Sequence, residues 1–267
     1  MRHSRARRDV AIASASTVIV LGGLAALVLT SPGWHQVRTL FFSWYWFRHS
    51  FPDLLSAFWT NVRMFLIIEV VVLVLALLIA LCRNARAPAL FPLKLVATVF
   101  IDLFRGIPTL LLILLFGFGI PGLNLAGVPS DPLVLGGAAL ALSYSAYVAE
   151  VYRAGIESVA IGQTAAALAV GLSRGQAMRF VVLPQAVRRV VPPLLNDFIS
   201  LQKDTALLSV VGVFEVLRQA QVTSDYRFNY TPYVGAAMLF VCITIPLARI
   251  FDRMQARARR RREAALV

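Results

Sequence analysis

The stretch GQTAAALAVGLSRGQAMRFVVLPQA, residues 162–186, lies between two segments that are apolar enough to cross a membrane. A simple connecting loop does not need this many alanines, glycines and scattered polar residues. The whole chain has 59% hydrophobic and only 15% charged residues, with a mean hydropathy of +0.75. This composition is not that of a soluble protein. We therefore predict an integral membrane protein.

Six segments are long enough to span a membrane as helices, which requires roughly 20 mainly apolar residues. They are residues 10–30, 62–82, 94–120, 132–152, 190–213 and 232–251. The first follows a basic head, but its apolar stretch is too long for a signal peptide and no clear cleavage site follows it. We interpret it as a retained helix. The predicted fold class is therefore all-α, a polytopic membrane helix bundle with six spans.

The distribution of lysine and arginine predicts the orientation of these spans. With a cytoplasmic N-terminus, the cytoplasmic side carries 19 of these residues and the outer side carries 5. Both termini and residues 162–186 are then cytoplasmic, and the aromatic residues of the outer segment 31–60 fit the membrane interface. The basic tail is interpreted as an anchor at the membrane lipid. The net charge of +13 does not indicate nucleic acid, because the positive charge lies at the ends of apolar runs.

The cytoplasmic segment carries signals for two short helices at an angle. Residues 158–170 predict the first helix, and Gly171 stands where helices commonly end in a left-handed residue. Ser173 and Gln176 form a capping box that predicts the start of the second helix. Pro184 is expected to stop or kink it.

Small residues at a spacing of four predict a shallow surface for close approach by another chain. They are Ala167, Gly171 and Gly175. A plain linker does not require both capping chemistry and this spacing, so docking to a cytoplasmic partner is favoured over a self-packed loop.

A longer gapped pattern runs through the same segment. The chain has Ala165, Ala166 and Ala167, three residues, Gly171, nine residues, then Val181, one residue, Leu183 and Pro184. This resembles the EAA signature of permease subunits in ABC importers, E-A-A-x3-G-x9-I-x-L-P. Further blocks are similar to the polar amino-acid branch of that family: RGIPTLL (105–111), AYVAEVYRAGI (146–156), GLSRGQ (171–176), LPQA (183–186) and LQKDTALLS (201–209).

The resemblance covers about residues 60–250 and implies an organisation in three parts. Residues 1–59 hold the basic segment, one extra N-terminal helix and an outer segment. Residues 60–252 are the permease domain with five core helices and cytoplasmic coupling helices at about 158–182. Residues 253–267 are the basic tail.

The resemblance also implies a role and partners. The chain would be the permease subunit of an ATP-driven importer in the bacterial cytoplasmic membrane, moving a polar amino acid delivered by an extracytoplasmic binding protein. It would pair with a second permease chain, and its coupling helices would sit in a groove of an ATPase subunit. The residues expected to contact the ATPase are Ala165, Ala166, Ala167, Gly171, Leu172, Ser173, Arg174, Leu183 and Pro184.

Two departures bear on this role. The glutamate of the family signature is replaced by Ala165, so any ion pair that it makes with the ATPase is missing here. The chain has no G-x-x-x-x-G-K-[ST] phosphate loop, so ATP and its magnesium are expected on the partner and no cofactor on this chain. We therefore predict a transport subunit and not an enzyme.

Polar residues inside three spans predict a substrate path, because charged groups in a membrane normally face the bundle interior or water. The stripes are Thr98, Asp102, Arg105 and Thr109; Ser143, Tyr144, Tyr147 and Glu150; and Asn196, Ser200, Lys203 and Asp204. Pro108 also breaks the backbone where such a path is tolerated. The alternative is that Asp102 and Arg105 pair locally and that Lys203 pairs with a neighbouring helix.

Two other function classes compete with this interpretation. An ion-gradient-driven secondary transporter or channel would use intramembrane carboxylates as a relay, namely Glu69, Asp102, Glu150 and Asp204. It leaves the capped cytoplasmic segment unexplained. An intramembrane enzyme or metal site is disfavoured, because all three histidines precede residue 50 and no G-x-S-x-G motif is present.

Overall fold

The computed structural model describes residues 2–85 and 87–264, with side chains described for residues 12–85 and 87–257. This part of the chain is helical and contains no strands. The α-helices are α1 (Arg2–Leu29), α2 (Trp34–Phe41), α3 (Trp44–Arg83), α4 (Phe91–Gly106), α5 (Thr109–Leu114), α6 (Ile120–Gly122), α7 (Pro132–Glu157), α8 (Ile161–Ala169), α9 (Arg174–Ala177), α10 (Leu183–Asp204), α11 (Val216–Arg227) and α12 (Thr231–Ala264). Short 3₁₀ and π turns join several of them: Pro88–Leu90, Leu115–Gly119, Met178–Val182 and Thr205–Val211.

Helices of membrane-spanning length confirm the predicted polytopic bundle. Within the described residues, 4 helices are long and apolar enough to cross a membrane, and the number rises to 6 if each of two bent pairs forms one span. In one pair α4 and α5 meet at 101°, so the third predicted span is not straight. The bend lies at Ile107, whose backbone is extended before Pro108, because a residue that precedes proline is disfavoured in the helical region.

The expectation that Pro184 stops a helix is wrong. The π turn Met178–Val182 leads directly from α9 into α10, and the chain stays helical through Pro184. Regular α-helical geometry changes in that turn, directly before the proline. The second short helix is therefore the beginning of the fifth span, and the break between the two predicted helices lies between α8 and α9.

Helices α3 and α7 form the centre of the bundle. α3 runs for 40 residues and includes much of the predicted outer segment, and it packs against α7, α11 and α12. Asp131 caps the N-terminus of α7 by accepting a hydrogen bond from the Leu133 N–H at 2.8 Å. The largest buried apolar cluster joins α7 to α3, α4, α5 and α10, with Ile101, Ile113 and Leu140 fully enclosed.

One buried polar network ties the middle of α3 to the start of α11. The Asn61 side-chain amide donates to the Glu215 carboxylate at 2.9 Å and to the Thr205 hydroxyl at 3.1 Å, and its carbonyl accepts from the Val216 N–H at 3.1 Å. Glu215 also caps α11 by accepting from the Leu217 and Arg218 N–H groups. Asn61, Thr205 and Glu215 are all buried and bonded, as polar groups away from water require.

A second set of contacts clasps α2 to the turn before α12. The Tyr230 N–H donates to the Leu40 carbonyl at 2.8 Å, and the Asn229 side-chain amide donates to the Thr39 carbonyl at 2.9 Å. The ring of Phe41 stacks on Tyr230 with centroids 5.1 Å apart. These residues were predicted to lie on the same side of the membrane, and the structure brings them together. By contrast, the span-length part of α1, Ile12–Leu29, is 0% buried by the rest of the chain.

Close packing of α7 on α10 depends on Gly155. A Cβ atom added there would lie 2.0 Å from the Val190 Cγ2 atom, which is an impossible contact. We expect Gly155→Ala to destabilise the folded permease by about 1–3 kcal/mol, seen as a lower melting temperature and folded yield in detergent. Adding Val190→Ala to the Gly155→Ala variant should restore much of the lost stability. Gly22→Ala is the matched control, because no atom lies within 4 Å of its added Cβ. A Gly155→Ala variant as stable as this control would contradict the proposed packing.

Candidate functional site

The break between α4 and α5 brings together side chains from three predicted stripes. The Tyr144 hydroxyl on α7 donates to the Asp204 carboxylate at the end of α10, at 2.7 Å. One turn later, the Tyr147 hydroxyl donates to the Arg105 carbonyl at 3.4 Å, and the Arg105 guanidinium lies 5.6 Å from the Tyr147 ring centroid. We call Arg105, Tyr144, Tyr147 and Asp204 the path cluster.

The stripe of Thr98, Asp102, Arg105 and Thr109 does not form one helical face as predicted. Thr109 begins α5, beyond the bend, and its hydroxyl lies 2.9 Å from the Ser143 hydroxyl on α7. Thr98 instead donates back to the Lys94 carbonyl in its own helix. The reason is the change of chain direction at Pro108. The helical spacing across residues 98–109 predicts a shared face only for a straight helix.

The local pairing predicted as the alternative is absent from the described side chains. The ion pairs there are Arg83–Glu150, Arg153–Glu150 and Arg153–Glu157, and neither Asp102 with Arg105 nor Lys203 forms one. Asn196, Asp102, Arg105 and Lys203 are all exposed on this single chain, while Ser200 is half-buried. Exposure of charged groups to lipid is costly, so these side chains require a water-filled path or a second chain.

Glu150 lies in a different environment from the other predicted path residues. Arg83 on α3 reaches its carboxylate at 2.5 Å, and the Arg153 Nε atom donates to it at 3.0 Å. Two cations therefore hold this carboxylate and lock α3 to the last turns of α7. Neither arginine was predicted from the sequence as a partner of Glu150, although the three-residue spacing from Glu150 to Arg153 is a usual signal for a helical ion pair.

The predicted caps of the cytoplasmic segment are confirmed. Gly171 has a φ of +90°, and a Schellman motif ends α8: the Leu172 N–H donates to the Ala167 carbonyl at 3.1 Å, and the Gly171 N–H donates to the Leu168 carbonyl at 3.0 Å. The Ser173 N–H donates to the Gln176 side chain at 2.8 Å, and the Ser173 hydroxyl accepts from the Gln176 N–H at 3.3 Å. The angle between α8 and α9 is thus fixed by local hydrogen bonds.

The shallow surface expected from residues spaced by four is wrong, because Ala167 faces inward and is 5% exposed. α8 packs on the turn that follows α9, above a small core of Val159, Val182 and Ala186. Of the other predicted coupling residues, Leu172 is half-buried. The rest are exposed: Ala165, Ala166, Gly171, Ser173, Arg174, Leu183 and Pro184.

Comparison with known proteins identifies the family. The sequence model of the family described as "Binding-protein-dependent transport system inner membrane component" matches residues 72–262. The chain belongs to this family. It is the membrane-spanning permease subunit of an ABC importer, a multi-pass protein of the bacterial inner membrane, and ATP hydrolysis belongs to a separate subunit. This overrules the ion-gradient alternative.

Individual relatives are similar to this chain over most of their own length. The chain is 39% identical to the "Probable glutamine ABC transporter permease protein GlnM" of Bacillus subtilis (strain 168), over 59% of this chain and 72% of the relative. It is 30% identical to the "Arginine transport system permease protein ArtQ" of the same organism, over 74% and 89%. A solved structure described as an amino acid ABC transporter with histidines matches with a TM-score of 0.70 and 32% identity, covering 77% of this chain and 94% of the other.

Removing the Arg105 side chain tests the path cluster. If Arg105 lines the predicted path, Arg105→Ala should lower substrate uptake about tenfold while leaving the amount of folded permease unchanged, because an exposed cation there would add to binding of a substrate carboxylate and not to folding. Uptake would be measured per folded molecule in proteoliposomes. Arg48→Ala, which removes another exposed arginine, is the control. An equal fall in folded yield and uptake would make Arg105 a structural residue.

Proposed function

We propose that this permease moves a polar amino acid through the path cluster and couples that movement to a partner ATPase through residues 158–182, the coupling segment. The observation that carries the proposal is where the segment is attached. It follows α7 directly and continues directly into α10, and the hydrogen bond between Tyr144 and Asp204 joins these same two helices. A displacement of the coupling segment therefore acts on both sides of the path cluster.

The substrate class rests on two supports. Relatives named for glutamine and arginine, and a solved transporter described with histidines, all handle polar amino acids by their printed names. The path offers both signs of charge to a zwitterion: Arg105 and Lys203 suit its carboxylate, and Asp102 and Asp204 suit its amine. Asn196 and Ser200 add neutral hydrogen-bonding groups to the same stretch of α10.

The mechanics of coupling follow from how rigidly the segment is held. Val159 and Val182 of the segment pack against Ala186 of α10 and Ile156 of α7, and the Arg189 guanidinium donates to the Ser158 carbonyl. The segment thus moves with the ends of both helices. Binding of ATP and magnesium would bring two partner ATPases together, and the segment would transmit that movement to α7 and α10.

The remaining partners complete the assembly. A second permease chain, identical or related, would cover the exposed polar side chains of α4 and α10, and an extracytoplasmic binding protein would deliver the amino acid. Residues 60–252 form the permease domain in this proposal, with both termini on the cytoplasmic side. Residues 1–59 add a helix and an outer segment, and residues 253–267 are a basic tail.

Purification in mild detergent tests the assembly. We expect an ATPase with a phosphate loop to be isolated with this chain in equal amounts, identified by mass spectrometry. A binding protein isolated with it would then be screened against the polar amino acids by thermal shift. Isolation of the chain alone, or only with copies of itself, would contradict the proposal.

A bulky side chain at Gly171 tests the coupling segment. We expect Gly171→Trp to leave membrane insertion intact and to abolish ATPase association, because it places an indole on an exposed surface at a backbone conformation that favours glycine. Gly171→Ala separates the backbone strain from the added bulk. Gly33→Trp is the control, since no atom lies within 4 Å of its added Cβ. Normal association of Gly171→Trp would refute the assigned role.

A further inference from the structure

The coupling segment and the first half of α10 carry positive charge only. Residues 158–196 contain four arginines and no aspartate or glutamate. The acids that precede them on α7, Glu150 and Glu157, are already paired with arginines. Within the described side chains, Arg174 and Arg179 have no carboxylate partner, and both are exposed. Their charges are therefore available to another molecule.

Exposed apolar residues lie in the same segment. Ile161 is 87% exposed, Val170 79% and Phe180 61%. The Arg179 guanidinium carbon lies 5.6 Å from the Phe180 ring centroid, so the charge borders one of these side chains. Aromatic residues and arginine are enriched at protein–protein interfaces. Apolar residues exposed to this extent on the cytoplasmic side need a cover.

The composition of α8 favours a protein over a lipid surface as that cover. A helix that lies in the membrane interface carries basic residues on one face and bulky apolar residues on the other. α8 reads IGQTAAALA and contains no charged residue. Its small exposed alanines, Ala165 and Ala166, allow another backbone to approach closely, while giving little apolar area for insertion among lipids.

The position of Arg174 is not explained by helix stability. It is the first residue of α9, which runs on through a turn into α10. A cation at a helix N-terminus opposes the helix dipole, whereas an anion there is stabilised. A carboxylate from another chain would be attracted both by the guanidinium and by this end of the helix.

We propose that the ATPase groove that receives the coupling segment is apolar at its floor and presents carboxylates to Arg174 and Arg179. This inference rests on the proposed function. In the family signature a glutamate of the permease supplies the charge, and here Ala165 stands in its place. The charge contact runs in the opposite sense: the permease contributes the cations and the ATPase contributes the anions.

Lysine substitutions allow these contacts to be trapped covalently. The chain contains two lysines, Lys94 and Lys203, so the background of amines is low. A zero-length carbodiimide joins an amine to a carboxylate in contact with it and does not react with a guanidinium. Arg174→Lys and Arg179→Lys keep the charge. In the purified complex with the ATPase, each should form a cross-link to an ATPase aspartate or glutamate, located by mass spectrometry. Arg253→Lys, an exposed arginine near the end of α12, is the control and should form none.

Charge reversal supplies an independent measurement. Arg174→Glu should weaken ATPase binding to permease in lipid nanodiscs about tenfold, as loss of one charge-assisted contact predicts. The same loss is expected in discs of neutral lipid and in discs containing phosphatidylglycerol. A loss confined to the anionic discs would assign these arginines to lipid headgroups and overturn the inference.

The outcomes separate the two proposals. If the ATPase binds the native chain, but neither lysine variant cross-links and Arg174→Glu binds within about twofold of native, the inference fails and the proposed function stands. If no ATPase binds the native chain, both fail. Cross-links at both positions, with none from Arg253→Lys, support an acidic rim on the partner groove.

Discussion

The absence of water from the membrane interior is the constraint on which this structure depends. A polar group at that depth must be bonded within the chain, face a wet path or meet another chain. The first solution holds for Asn61, whose amide satisfies both Glu215 and Thr205, and for Glu150, which is held by arginines. Asp102 and Lys203 form no ion pair within the described side chains, so they need a wet path or another chain. Polar residues of the first kind hold the bundle together, whereas polar residues of the second kind require water or another chain.

In its proposed cytoplasmic position, the coupling segment has the opposite problem, because it would have to keep its shape in water while leaving apolar residues uncovered. Local hydrogen bonds fix that shape: the Schellman motif at Gly171 ends α8, and the capping box at Ser173 begins α9. A small core beneath the segment then joins it to α7 and α10. Both helices reach the path cluster. The coupling segment at one end of the bundle is therefore connected to the path cluster through helices, without any flexible link.

Local features were predictable from the sequence, and features that depend on distant residues were not. The caps at Gly171 and Ser173 follow from spacings of a few residues, and six apolar segments gave the bundle. The hydrogen bond between Tyr144 and Asp204 joins residues far apart in sequence, so only the fold reveals it. The helix continues through Pro184 by way of a π turn, which the general tendency of proline to end a helix does not signal. The inward orientation of Ala167 depends on which side of α8 meets the following turn, and small residues carry no signal for that choice.

The clasp between α2 and the turn before α12 has a consequence for how the protein is made. Leu40 and Tyr230 come from opposite ends of the chain, and the hydrogen bond between them closes the bundle at that end. Ribosomes release the N-terminal part first, so the carbonyls of Thr39 and Leu40 must wait for their donors until nearly the whole chain has been synthesised. This contact between the two ends of the chain can therefore form only late in biogenesis.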